Sequence, residues 1–201
     1  YSKVKNKNNV VISVPSGNFG NVTAGLLSKK MGLPIAKFIA STNKNKTVPD
    51  FIENGVYKAY KTIQTISNAM DVGNPSNIKR ILDIYKNSDN LKQDMFSWSY
   101  DDDKTIGIIK KILNDFKYIL DPHSAVGLLG LENYAKYDNS FNGIFLGTAH
   151  PSKFLDVIEP EINKKIKVPD RLNDVLDKEK KSLFMKNDYK DFSNYLLENF
   201  I

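Results

Sequence analysis

Gly17, Asn18, Phe19, Gly20 and Asn21 have the composition of a loop that receives an anion. They follow the apolar, β-branched run Val10-Val11-Ile12-Ser13-Val14, which Pro15 closes. They precede a stretch with Val22, Ala24, Gly25, Leu26, Leu27 and Met31 at helical spacing. A strand that turns into a helix in this way exposes unpaired amide N–H groups at the positive end of the helix dipole. Glycines let the backbone approach an anion closely and reach positive φ. No lysine follows them as in a Walker loop, and the spacing is not GxGxxG. The loop therefore suits a single phosphate group better than a nucleoside triphosphate or a dinucleotide. An ordinary tight strand-to-helix turn is the alternative while the loop is considered alone.

His123 and His150 are the chain's two histidines, and histidine is the side chain whose ordinary pKa is near neutrality. Each follows a short apolar run. Either can bind an anion or relay a proton, and a histidine beside a proline also serves as a hydrogen-bond bracket. Two are too few for an all-histidine metal site. The absence of cysteine removes disulfides, thiolate zinc sites and thiol nucleophiles. Ser67, Asn68, Asp71 and the stretch Thr42-Asn43-Lys44-Asn45 are further candidates to line a pocket.

These residues must be positioned by alternating strands and helices. The helix after the glycine loop should stop near Gly32, with Pro34 beyond, and Ile35-Ala36-Lys37-Phe38-Ile39-Ala40 reads as a second strand. Thr47 to Asp50 opens a helix that Asn54-Gly55 ends. Ser76 is placed to cap a helix with Ile78, Ile81, Leu82 and Tyr85 on its apolar face. Asp101 to Asp103 begin another, bearing Ile106, Ile109, Ile112 and Leu113. Tyr118-Ile119-Leu120 reads as a short strand, and Asp121-Pro122 starts a helix with Ala125, Val126, Leu128 and Leu129. Gly143 to Leu146 is a further strand, opening into Gly147. Beyond Glu159 the chain is charged and helical, with Phe192, Tyr195, Leu196 and Phe200 at helical spacing. The fold class is α/β with a mainly parallel sheet and flanking helices. Ligands bind at the carboxyl ends of such strands. The turns at Gly17 and Gly147 both follow a strand and should share that edge.

With 201 residues, 41% of them apolar and 26% charged, the chain suits one domain with an appendage. The expected division is an α/β domain over 1–160 and a charged helical extension over 161–201. The chain starts at Tyr1 and not at a methionine, which suggests a piece of something longer. No apolar run approaches the ~18 residues that span a bilayer, and no secretory signal is visible, so a cytoplasmic setting is the default. The net charge of +6 is mostly spread among acids, as in Asp177-Lys178-Glu179-Lys180-Lys181. Only the first seven residues and Lys164-Lys165-Ile166-Lys167 are locally basic. No nucleic-acid partner and no membrane partner is expected.

The chain resembles threonine synthases of the branch shared by many bacteria and fungi. Val14-Pro15-Ser16-Gly17-Asn18-Phe19-Gly20-Asn21 is similar to their phosphate-binding loop. Thr23-Ala24-Gly25-Leu26-Leu27, Met31-Gly32-Leu33-Pro34, Ala40-Ser41-Thr42-Asn43 and Ser67-Asn68-Ala69-Met70-Asp71-Val72 follow in the family's order. Asp121-Pro122-His123-Ser124-Ala125-Val126-Gly127 and Phe145 to Phe154 complete the match, which covers most of residues 10–160. The resemblance implies part of a tryptophan-synthase-like (fold type II) enzyme that uses pyridoxal 5′-phosphate (PLP). Its reaction is a carbon–oxygen lyase step on a phosphate, converting O-phospho-L-homoserine and water to L-threonine and phosphate. Gly17, Asn18, Phe19, Gly20 and Asn21 would hold the cofactor phosphate through main-chain N–H groups, and Thr148 would stand beside the pyridine nitrogen. The family usually has Asp where this chain has Asn21.

The same resemblance places the Schiff-base lysine in a Lys-Asp motif before the glycine loop. Lys3, Lys5 and Lys7 have no such context, and Lys190-Asp191-Phe192 lies after all the other motifs and reads as surface. No catalytic residue is expected in this chain, which alone should be inactive. Its expected partners are a phosphorylated amino acid and the enzyme's absent N-terminal half, with an exposed sheet edge or apolar face where that half would pair. Two alternatives stay open: another PLP lyase or dehydratase of the same fold, and a non-catalytic α/β module that binds a phosphorylated small molecule.

Overall fold

A computed structural model describes residues 3, 4, 7–176 and 178–200. The expectations that fall on Tyr1, Lys5 and Asp177 lie outside the described residues. Two compact units are present, Tyr1–Ile166 and Lys167–Ile201.

The first unit is built on a four-stranded parallel sheet in the order β3-β2-β1-β4. Its strands are β1 (Val10–Pro15), β2 (Lys37–Thr42), β3 (Met95–Ser99) and β4 (Asn142–Phe145). β1 pairs with β2 through Val14↔Ala40 and with β4 through Ile12↔Ile144. β2 pairs with β3 through Ala40↔Ser97. A central strand in a parallel sheet is covered on both faces, which is why β1 reads as a continuous apolar run.

Strand alternation divides the core. Val10 and Val14 of β1 and Phe38 and Ala40 of β2 pack with Val22 and Leu26 of α1 (Gly20–Lys30). The same cluster takes Val48, Phe51 and Ile52 of α2 (Thr47–Asn54) and Ile78, Ile81 and Tyr85 of α3 (Ile78–Tyr85). The short helix α4 (Ser88–Lys92) adds Leu91. On the opposite face Val11 and Ile39 meet Leu131 and Tyr134 of α6 (Pro122–Tyr134). Ile108 and Ile109 of α5 (Asp102–Phe116) pack with Ile158 of α7 (Leu155–Ile162).

Contact between α6 and the sheet is close because small residues face each other. The Ser13 hydroxyl donates to the Gly127 carbonyl at 2.6 Å and lies 3.0 Å from the Ser41 hydroxyl. A Cβ on Gly130 would come within 2.1 Å of Ser41 Oγ. No larger residue fits there without separating the helix from the strands.

Two local expectations need correction. Tyr118-Ile119-Leu120 joins no ladder; Tyr118 is exposed, while Leu120 and the half-buried Ile119 enter the α5–α7 cluster instead. Ser76 does not cap α3, whose N-cap Asn77 has no side-chain cap bond. The Ser76 N–H and hydroxyl both go to Asn18. β3 lies in a stretch that the periodicity left unassigned.

The second unit contains α8 (Asp170–Leu176) and α9 (Tyr189–Phe200). No residue of α9 is buried, and Lys190 is exposed on it. No helix among the described residues is long and apolar enough to cross a membrane.

Candidate functional site

The carboxyl end of β1 runs into the loop 16–19 and then into the first turn of α1. Ser16 anchors the entry: its N–H donates to the Ser41 carbonyl at 2.8 Å, and its hydroxyl donates to the Val14 carbonyl at 2.8 Å. Phe19 caps α1 with φ 62 and ψ 12, a left-handed conformation that costs a non-glycine residue ~1 kcal/mol or more. Burial of its ring, 3% exposed, and its carbonyl's two bonds from Thr23 hold it there. No protein group accepts from the main-chain N–H groups of Gly17, Asn18, Phe19, Gly20 or Asn21 among the described residues. They are donors at a helix N-terminus with capacity for an anion.

Gly17 is required by its surroundings. A Cβ there would lie 2.6 Å from Met70 Cα and 3.0 Å from the Ala69 carbonyl oxygen. Asn18 ties the loop to the start of α3: its Oδ1 accepts from the Ser76 N–H at 2.7 Å and the Ser76 hydroxyl at 3.0 Å. Its carbonyl accepts from Asn77 Nδ2 at 2.8 Å. Asn21 is exposed and its side chain makes no hydrogen bond among the described residues.

The loop forms one wall of a hollow of about 220 Å³, lined also by Ala69, Met70, His123 and Thr148. β4 is parallel to β1, so the segment after it emerges beside the glycine loop. Thr148 lies there, exposed, with its hydroxyl unpartnered among the described residues. The structure therefore brings together the six residues that the resemblance assigns to the cofactor, Gly17 to Asn21 and Thr148.

The two histidines differ. His150 is exposed and brackets a 3-10 turn over Pro151–Phe154: its Nδ1 accepts from the Ser152 N–H at 3.2 Å and lies 2.8 Å from the Ser152 hydroxyl. His123 is 4% exposed in the first turn of α6, with its ring 5.0 Å from the Phe154 ring. Its Nδ1 is 3.1 Å from Asp121 Oδ1. Asp121 caps α6, accepting from the N–H groups of His123 and Ser124 and from the Ser124 hydroxyl. Burial pushes its carboxyl up, but the bonds from His123 and Ser124 outweigh this and hold it below its ordinary value. His123 Nε2 is the buried side-chain polar atom without a partner among the described residues.

The other polar candidates serve each other. Asn43 Nδ2 donates to Thr65 Oγ1 and Asp71 Oδ1, both at 2.8 Å, while Asn45 Nδ2 reaches the Ile63 carbonyl at 2.8 Å. With Ser67 they pin the segment 63–73 to the end of β2. That segment carries Ala69 and Met70 to the hollow, and the sequence held no signal for this indirect role. Among the described residues no group of three metal-ligating side chains converges. No lysine among the described residues lines the hollow.

A family model described as "Threonine synthase, C-terminal" matches residues 124–196. A threonine synthase from Buchnera aphidicola of Acyrthosiphon pisum is 45% identical over 172 residues, 85% of this chain and 39% of that protein. The crystal structure of threonine synthase from Escherichia coli superposes with a TM-score of 0.82 at 34% identity, over 96% of this chain and 44% of the other. PLP-bound threonine synthase from Brucella melitensis gives a TM-score of 0.81 at 27% identity, over 98% of this chain and 47% of the other. The chain spans less than half the length of these relatives.

Proposed function

We infer the function of this chain, which belongs to the threonine synthase family in its C-terminal part, from the hollow at the end of β1. It supplies the phosphate-binding face of a PLP enzyme that converts O-phospho-L-homoserine and water to L-threonine and phosphate. The observation that carries this reading is that five unpartnered main-chain N–H groups open on the same hollow as the free hydroxyl of Thr148.

The residues present fit the cofactor. Gly17 to Asn21 hold its phosphate as an anion against oriented dipoles. The main-chain mode explains why Asn21 can serve where the resemblance places Asp: only its N–H is used. Thr148 donates its hydroxyl to the pyridine nitrogen. A neutral hydroxyl cannot support a protonated ring as a carboxylate does, which limits how much charge the ring takes up. The cofactor, when bound, supplies the electron sink for the elimination. Ser16, Asn18 and Ser76 keep the loop's width fixed so that orientation is set before substrate enters.

The chemistry also needs an amine to carry the cofactor and move protons. With no lysine lining the hollow among the described residues, that amine comes from a segment outside this chain, and the chain alone is inactive. The test joins the two and supplies O-phosphohomoserine. Threonine and inorganic phosphate should form in equal amounts. Release of 2-oxobutanoate without threonine would reassign the chain to a dehydratase of the same fold.

A further inference from the structure

One buried group at the hollow has no task in the reading above. His123 is 4% exposed, lines the hollow, and has one ring nitrogen engaged and one without a partner. A buried polar atom left unpaired is costly, so such atoms call for a partner. The engaged side is determined chemically. Asp121 is held ionised by its hydrogen bonds and can only accept, so Nδ1 of His123 carries a proton and donates to it. The Asp121–His123 bond then fixes the ring's tautomer and its rotation. Nε2 is left as an acceptor in the neutral ring and as a donor in the cationic one.

We propose that His123 Nε2 hydrogen-bonds the phosphate monoester of the cofactor in the hollow that the Gly17–Asn21 amides also line, with Asp121 as its positioning residue. Each protonation state of the ring has a match. A dianionic phosphate oxygen accepts from the cationic ring, and a monoanionic phosphate hydroxyl donates to the neutral ring. The amides of the loop can only donate, whereas the His123 ring can either donate to the phosphate or accept from it, following the phosphate's own proton. This rests on the function proposed above, and the test separates the two.

The measurement compares PLP, pyridoxal (the same ring without phosphate) and inorganic phosphate, using the full protein labelled with ¹⁵N at histidine. The His123 signals are assigned by their loss in His123→Asn. The Nε2 resonance of the wild-type protein should move with PLP and with inorganic phosphate, and stay in place with pyridoxal. His123→Asn, whose amide occupies the Nδ1 position only, should reduce PLP affinity about tenfold while leaving pyridoxal affinity unchanged. His123→Gln, whose amide reaches the Nε2 position, should recover most of the loss. If the protein prefers PLP to pyridoxal but Nε2 stays still and His123→Asn keeps the preference, this proposal is overturned while the phosphate hollow stands. A protein with no preference for PLP over pyridoxal overturns the hollow and this proposal together. Movement of Nε2 by inorganic phosphate only after PLP is saturating would reassign the nitrogen to a substrate or product phosphate. If the Asn variant folds poorly, loss of the same signals in His123→Gln supplies the assignment, and the wild-type spectra then decide the matter.

Discussion

Asn18 and Ser76 are joined twice, with Oδ1 of the first accepting from both the N–H (2.7 Å) and the hydroxyl (3.0 Å) of the second. The glycine loop is thereby fastened to the start of α3, and not only to the helix it enters. Asn18→Ala removes both bonds at an exposed position and should cost about 1 kcal/mol of stability. It should also weaken PLP binding, because amides 17–21 would no longer be held in one arrangement. Chemical denaturation and cofactor titration on the same variant measure the two effects; unchanged PLP affinity would show that the loop keeps its shape without the tie.

Gly17 and Gly20 should respond differently to the same substitution. A methyl at Gly17 meets main-chain atoms of Ala69 and Met70 at 3.0 and 2.6 Å, which cannot yield cheaply. Gly17→Ala should destabilise by about 2 kcal/mol and close the hollow. At Gly20 the nearest atom is Asn77 Nδ2 at 3.5 Å, an ordinary contact. Gly20→Ala should leave stability within about 0.5 kcal/mol, so any loss of PLP affinity there reports on the approach of the phosphate itself. Thermal melts of the pair, with and without PLP, test the contrast.

Thr148→Val replaces a hydroxyl that has no protein partner among the described residues. Stability should change by less than about 0.5 kcal/mol, while turnover of the joined enzyme should fall about tenfold and Thr148→Ser should retain most of it. A large fall in melting temperature instead would mean that Thr148 is a structural turn residue.

Acid stability has an identifiable source at Asp94. Burial raises its carboxyl, but hydrogen bonds from Tyr85, Lys29 and Lys30 outweigh burial and hold it below its ordinary value of 3.8. A depressed folded-state value means that the stabilisation is complete above 3.8 and is lost as pH falls below it. Asp94→Asn should lower stability at neutral pH and flatten the acid limb of the stability curve below about pH 4. A parallel shift of the whole curve would assign the effect to packing.

Much of this architecture was legible because its signals were local. β1, with its unbroken apolar run, and α1, between a glycine loop and Gly32, could be read from adjacent residues. The N-caps Asp101 and Asp121 could be read in the same way. The glycine loop was legible from its own residues and Thr148 through the resemblance; the parallel pairing of β1 with β4 explains why residues so far apart in sequence are neighbours. β3 escaped because Met95-Phe96-Ser97-Trp98-Ser99 is short and two of its five residues are serines; its assignment depends on pairing with β2. Ser76 was misplaced because its true partner, Asn18, is remote in sequence. His123's open nitrogen depends on knowing what its other nitrogen does, which no spacing conveys.

With Gly130 pressed against Ser41 and the Ser13 hydroxyl locked to Gly127, α6 has no freedom to slide over β1 and β2. The strand end that delivers the amides and the helix start that delivers the imidazole therefore move as one piece. On the proposed function their separation works as a gauge cut in advance, set for an anion of one size and orientation before it arrives.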